Sequence, residues 1–134
     1  MDDAYMLVID SQPERCRLLA DLLRQLGTQE LVLPKLKLCR TSSEALALAA
    51  SHPCPIVFTG VLLPGMDGFS LIQQLRAINS RTNFILLADD QEYVMQALRL
   101  KLRLSGIILG LPDTETVGDQ LCNLRYPLDE AVYC

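Results

Sequence analysis

Pro55-Ile56-Val57-Phe58-Thr59-Gly60-Val61-Leu62-Leu63-Pro64-Gly65-Met66-Asp67-Gly68 is the stretch whose reading decides the fold of this chain. Ile56–Thr59 is a short apolar run set off by Pro55, which reads as a buried strand. Pro64, Gly65 and Gly68 punctuate a turn. From about Gly68 to Ile78 a helix is expected, because Phe69, Ile72 and Leu75 fall on one stripe of a 3.6-residue period.

The same strand-then-helix unit recurs on both sides. Tyr5–Ile9 is a continuous apolar run, as expected of a strand covered on both faces. Pro13 opens a helix at its first turn, Leu19, Leu22, Leu23 and Leu26 form its inner stripe, and Gly27 is expected to stop it. A weaker strand is expected near Leu36–Arg40. Thr41-x-x-Glu44 then forms a capping box for an alanine- and leucine-rich helix to about Ala50. Phe84–Leu87 is the fourth strand. Asp89 or Asp90 caps the helix that carries Tyr93, Met95, Ala97 and Leu98. Gly106–Leu109 is the fifth strand, and Asp113 caps a last helix with Val117, Leu121 and Leu124 spaced for a core face. Strict alternation of five strands with five helices predicts an α/β three-layer sandwich. Right-handed crossovers then favour the flavodoxin-like parallel order 2-1-3-4-5. The expected domain spans residues 1–126, with residues 127–134 as a tail or the start of a linker.

The 134 residues suffice for one self-contained core, and 50% hydrophobic with 21% charged residues is globular composition. A net charge of −4 offers no general attraction to nucleic acid or to an anionic membrane. No apolar run approaches the ~18 residues of a membrane span, so a cytoplasmic location is expected. Cys16, Cys39, Cys54, Cys122 and Cys134 show no C-x-x-C spacing, and His52 is the only histidine, which argues against zinc. Cys16, Cys39 and Cys54 lie among apolar residues and read as small hydrophobes.

The quoted stretch resembles the third strand and following loop of bacterial response-regulator receiver domains. Leu7-Val8-Ile9-Asp10-Ser11-Gln12-Pro13 resembles their first strand and acidic turn, and Gly106-Ile107-Ile108-Leu109-Gly110 their fifth-strand segment. Leu121-Cys122-Asn123-Leu124-Arg125-Tyr126-Pro127, after Glu92-Tyr93 and Arg99-Leu100, is most similar to receivers that precede LytTR-type DNA-binding domains.

The resemblance implies a phosphoryl-accepting pocket built from five groups. Two acids after the first strand and an acceptor aspartate ending the third hold magnesium, which prefers oxygen ligands. A lysine after the fifth strand neutralises the phosphoryl oxygens, and a fourth-strand Ser or Thr bonds to them. Carried onto this chain, nearly all are gone. Asp10 keeps the first acid and Ser11 stands at the second. Gly60 replaces the acceptor. The hydroxyl position falls within Leu86-Leu87-Ala88, at Leu87 or a neighbour. Ile107 replaces the switch aromatic and Gly110 the lysine. A glycine has no oxygen to attack phosphorus, and one carboxylate falls short of a magnesium cage. No metal, cofactor or catalytic residue is therefore expected, and the chain reads as a degenerate pseudo-receiver and not an enzyme.

Other candidates read as structural. Asp10 caps the first helix or binds nearby backbone N–H groups, Asp67 shapes the turn, and Ser11 and Thr59 have no base near them in sequence. Pro64–Gly68 lacks the spacing of a nucleotide cradle. Arg99, Lys101 and Arg103 alternate with leucines in a connection expected to be extended or bulged. They read as a solvated helix end or, with Glu115 and Asp119, as a candidate association face, since the resemblance implies association through the fourth helix, fifth strand and fifth helix. The implied role is phosphorylation-independent protein interaction in bacterial two-component signalling and transcription regulation. The partner would be a second copy, an output domain or a sensor kinase, with no direct contact to nucleic acid or membrane. The rival readings are a phosphorelay receiver with a non-standard acceptor (Ser11, Thr59 or Asp10) and a regulator responding through thiols such as Cys122 or Cys134.

Overall fold

The computed structural model describes residues 4–29 and 32–128. Five parallel strands, β1 (Tyr5–Ile9), β2 (Lys35–Cys39), β3 (Ile56–Gly60), β4 (Asn83–Ala88) and β5 (Gly106–Leu109), alternate with five helices. These are α1 (Pro13–Gln29), α2 (Ser42–Ser51), α3 (Gly68–Ile78), α4 (Gln91–Leu100) and α5 (Thr114–Cys122). The strand order is β2-β1-β3-β4-β5, the flavodoxin-like order expected from the alternation.

Period-2 alternation along the inner strands sends side chains to two separate cores. Met6, Val8, Ile56, Phe58, Ile85, Leu87 and Ile108 meet α1 and α5 through Leu19, Leu23, Leu26, Val117 and Leu121. Leu7, Ile9, Val57, Phe84, Leu86 and Ala88 face the other way, against Ala45 of α2, Leu71, Ile72 and Leu75 of α3 and Ala97 of α4. Burying each large side chain contributes about 1.5–3 kcal/mol, so β1, β3 and β4, covered on both faces, anchor the molecule. The edge strand β2 exposes Lys35 and leaves Leu38 43% exposed, so only its neighbour-facing half joins the core.

Caps open the helices where the sequence placed them. Thr41 and Glu44 form a reciprocal capping box, Asp67 accepts from the Ser70 N–H, Asp90 rather than Asp89 caps α4, and Asp113 caps α5. The turn before α3 needs Gly68, because a Cβ there would lie 2.0 Å from the carbonyl oxygen of Gly60.

Three expectations are corrected. Gly27 does not stop α1, which continues to Gln29: a glycine ends a helix by adopting a left-handed conformation, and Gly27 stays right-handed. Leu124 lies beyond the end of α5, yet still packs on the α1–α5 core. The link from α4 to β5 is neither extended nor a bulge. Lys101 (φ 54°) and Arg103 (φ 53°) are both left-handed and tuck Leu102 inward to 6% exposure. The tail begins docked: the Tyr126 N–H donates to Asn83 Oδ1 at 2.7 Å, Asn83 Nδ2 donates back to the Tyr126 carbonyl at 2.8 Å, and Leu128 packs against the core.

Candidate functional site

The carboxyl ends of β1, β3 and β4 converge at one edge of the sheet, the usual ligand crevice of an open α/β fold. Asp10 follows β1, Gly60 ends β3 directly beside Leu87 of β4, and Asp89 follows β4. Between them lies a residue that the motif reading passed over. Arg15, in the first turn of α1, reaches inward with only 4% exposure.

Its guanidinium grips Asp10 with a two-pronged fork, Nε to Oδ2 at 2.6 Å and Nη2 to Oδ1 at 3.0 Å, and reaches Asp89 Oδ1 through Nη1 at 2.6 Å. Gln12 adds a bond from Nε2 to the same Asp89 oxygen at 3.0 Å, and its backbone N–H donates to Asp10 Oδ1 at 3.1 Å. The side chain of Asp10 is 1% exposed and that of Asp89 35%. Burial works against the charge on Arg15, but hydrogen bonds and attraction from Asp10, then Asp89, outweigh it and raise its pKa. Pairing two buried charges repays their desolvation only when the geometry is this complete.

The glycine and the arginine are linked by volume. A Cβ on residue 60 would lie 3.0 Å from Asp10 Oδ1 and 3.2 Å from Arg15 Nη2. Any side chain there presses on the ion pair. The room that a side chain at position 60 would need is thus the room that the guanidinium uses. Of the two roles expected of Asp10, it does not cap α1 but does accept from a nearby backbone N–H, that of Gln12, and it also holds Arg15. The residues do not fit the magnesium implied by the resemblance, since both Asp10 oxygens are engaged and position 60 offers no ligand. Among the described residues no cluster of three His, Cys, Asp or Glu could hold a metal ion.

The remaining pocket positions are equally committed. Ser11 Oγ donates to the Leu62 carbonyl at 2.7 Å, and the buried Thr59 hydroxyl donates to the Gly60 carbonyl at 2.9 Å. Leu87 is wholly buried toward α1 and α5, and Ile107 is half-buried in the opposite core. Gly110 is exposed with φ +81°, and its N–H donates to the Ala88 carbonyl at 2.9 Å. A lysine there would carry a left-handed backbone at a cost of about 1 kcal/mol.

The proposed association residues Arg99, Lys101, Arg103, Glu115 and Asp119 are all exposed, on α4, its C-terminal loop and α5, helices that both pack against β5. Beside them Leu98 is 63%, Leu109 51% and Leu111 72% exposed. The left-handed loop is held from behind by Arg76 of α3, whose Nη2 donates to the carbonyls of Leu102 at 2.8 Å and Arg103 at 3.0 Å. The Arg76 guanidinium also lies 4.9 Å from the centroid of the Phe84 ring. This clasp, like the Arg15 pair, was not foreseen.

A groove of about 340 Å³ opens at the other end of the sheet, between the C-terminal ends of α2 and α3. It contains no predicted site residue and lies away from the carboxyl ends of the strands. Cys39 and Cys54 are buried, and burial pushes both thiols up to about 11. Cys16 is half-buried and also raised by burial. Cys122 is half-buried at the end of α5, and Cys134 lies outside the described residues.

With this geometry in hand, comparison with known proteins identifies the family. The response regulator receiver domain matches residues 6–109, so the chain belongs to that family. The sensor histidine kinase RcsC of Salmonella typhimurium is 36% identical over 80 residues, covering 58% of this chain and 8% of the kinase. The chain therefore spans only a small part of the curated relatives it matches. Among solved structures, the chemotaxis response regulator CheY4 of Vibrio cholerae superposes with a TM-score of 0.73 at 18% identity, over 88% of this chain and 95% of that one. The response regulator TrrA of Thermotoga maritima, solved with Mg(2+)-BeF, gives 0.73 at 19% identity over 90% and 96%. At such identities these likenesses speak for the fold alone. Among the described residues no helix is long and apolar enough to cross a membrane.

Proposed function

We propose that this receiver domain works without phosphorylation, as a protein-interaction module in two-component signalling. One observation carries the reading: the space that an acceptor side chain would need is taken by the Arg15 fork on Asp10. Phosphoryl transfer depends on positioning and on neutralising charge. Here the nucleophile, the lysine and the strand hydroxyl are absent, and the surviving acid is bound to an internal cation. Ser11 and Thr59 make poor substitutes as acceptors, since each hydroxyl already donates to a backbone carbonyl.

What the domain offers instead is surface. The α4, β5 and α5 side carries Arg99, Lys101 and Arg103 near Glu115 and Asp119, around exposed leucines. Such a face suits a second copy of this chain, an output domain or a kinase. Exposed ion pairs contribute only about 0–1 kcal/mol each, so the leucines supply most of the affinity and the charges set the register. The resemblance of the C-terminal stretch to receivers of LytTR-type regulators supports a role in transcription regulation.

The test has two arms. Incubation with acetyl phosphate and magnesium, followed by intact-mass measurement, is expected to leave the mass unchanged; a stoichiometric phosphoryl adduct overturns phosphorylation independence. Sedimentation at high micromolar concentration is expected to show a dimer that weakens on Lys101→Glu with Arg103→Glu. A strict monomer, or a dimer indifferent to those charges, removes this face as the self-association surface.

A further inference from the structure

Helix α4 is thinly packed. Ala97 is its only buried residue, with Tyr93 and Val94 half-buried beside it. By contrast α3 buries Gly68, Phe69, Leu71, Ile72 and Leu75. A helix with so small an inner face is not held by apolar burial alone, because burial scales with the area removed from water. Its ends, however, are both fastened by side chains from elsewhere in the chain. Before its first turn, Asp89 accepts from Arg15 Nη1 at 2.6 Å and from Gln12 Nε2 at 3.0 Å, both on the α1 side. After its last turn, the left-handed loop at Lys101 and Arg103 is fixed by Arg76 of α3 through the Leu102 and Arg103 carbonyls.

We infer that α4 is clamped at both ends by arginines from other helices, Arg15 through Asp89 and Arg76 through the Leu102 and Arg103 carbonyls, so that its exposed face is held in one pose with no signal required. The two clamps are independent in space and chemistry. One is an ion pair rooted in the pocket beside Gly60. The other uses neutral carbonyl oxygens and the Phe84 ring. Arg15 thereby links the pocket to the outer surface. It is a cation tethered to the chain that engages Asp10 and the loop entering α4 together, where an exchangeable ion would come and go. The biological consequence rests on the interaction reading, since a fixed α4 matters only if that face binds a partner.

Amide hydrogen exchange on the full chain tests the clamps directly, whatever the partner. Removing Arg15 leaves a buried carboxylate and endangers folding, so the first clamp is cut from its exposed side with Asp89→Ala, and the second with Arg76→Met. Each variant is expected to speed exchange of the Tyr93–Leu98 amides about tenfold while the β1 and β3 amides keep their rates, as in local opening. Asp90→Ala serves as the control, since losing the N-cap alone should speed only the first turn. Unchanged α4 rates in Asp89→Ala and Arg76→Met overturn the clamps. So does an equal rise across all elements, which would mean that α4 opens only with the whole fold. A chain with both clamps confirmed that still fails to self-associate would discard self-association through that face and leave the clamps standing.

Discussion

Two arginines fasten the two ends of one helix, and they do it with opposite electrostatics. Arg15 is almost wholly buried and faces two carboxylates. Arg76 is half-buried and faces carbonyl oxygens and a ring. Burial opposes the charge on both. At Arg15 the paired acids prevail and the pKa is raised. At Arg76 burial prevails and the pKa is lowered. The comparison teaches that a buried cation in this fold is tolerable with neutral acceptors at its partly wet edge, while full burial demands counter-charge. It also accounts for the burial of Asp10, whose two oxygens the Arg15 fork engages.

The largest expected effect breaks the comparison if it fails. Arg15→Met should cost about 3–5 kcal/mol, because it leaves Asp10 charged, buried and unpaired. Arg76→Met should cost about 1–2 kcal/mol, since the freed carbonyls lie near water. Urea unfolding of the two variants side by side checks the order. Equal losses would mean that the acids are not what holds Arg15.

Gly60→Asp comes next. The new Cβ must displace the Asp10–Arg15 fork by a few tenths of an ångström, an overpacking cost of about 1–3 kcal/mol. The sequence alone suggests that the added carboxylate would meet Asp10 with no cation between them. The structure corrects this, for Arg15 Nη2 is within reach and offsets part of the repulsion. Intact mass after acetyl phosphate and magnesium should stay unchanged in this variant as well, because the Arg15 fork already engages both Asp10 oxygens and Gly110 supplies no lysine. A full phosphoryl adduct would show that the fork yields to the incoming group.

The smallest effect at neutral pH concerns the thiols. Cys39 and Cys54 hold their protons up to about 11 in the fold, against an ordinary value of 9.0. The native state therefore binds more protons than the unfolded chain between those values. The resulting stability is fully present below pH 9 and declines as pH rises toward 11. Melting temperatures at pH 8 and pH 10.5 should show the fall, and alkylation of Cys39 and Cys54 at pH 8 should require denaturant. Rapid native labelling of either residue would show that burial does not shield these thiols.

Much of the fold was legible because its causes are local. Tyr5–Ile9, Gly68–Ile78 and Gly106–Leu109 stand where period and punctuation put them, and Thr41, Asp67, Asp90 and Asp113 cap through hydrogen bonds that span three residues. Gly27 misled because a glycine signals a helix end only where the chain also turns left-handed, and its φ is set by how the neighbouring backbone packs. The arginine in the pocket did leave a trace. Arg15 lies on the stripe of Leu19, Leu22 and Leu26, a charge in an apolar row, close after an acid and opposite a glycine that replaces another.

The sequence by itself determined the alternation, the parallel sheet and the absence of an acceptor oxygen at Gly60, since these arise from residue chemistry and short-range period. Only the tertiary structure decided what fills the resulting space. Asp10, Gly60 and Asp89 lie far apart along the chain and meet only because parallel strands end together, and a long guanidinium chooses its partners by reach and burial. Neither quantity is written in spacing.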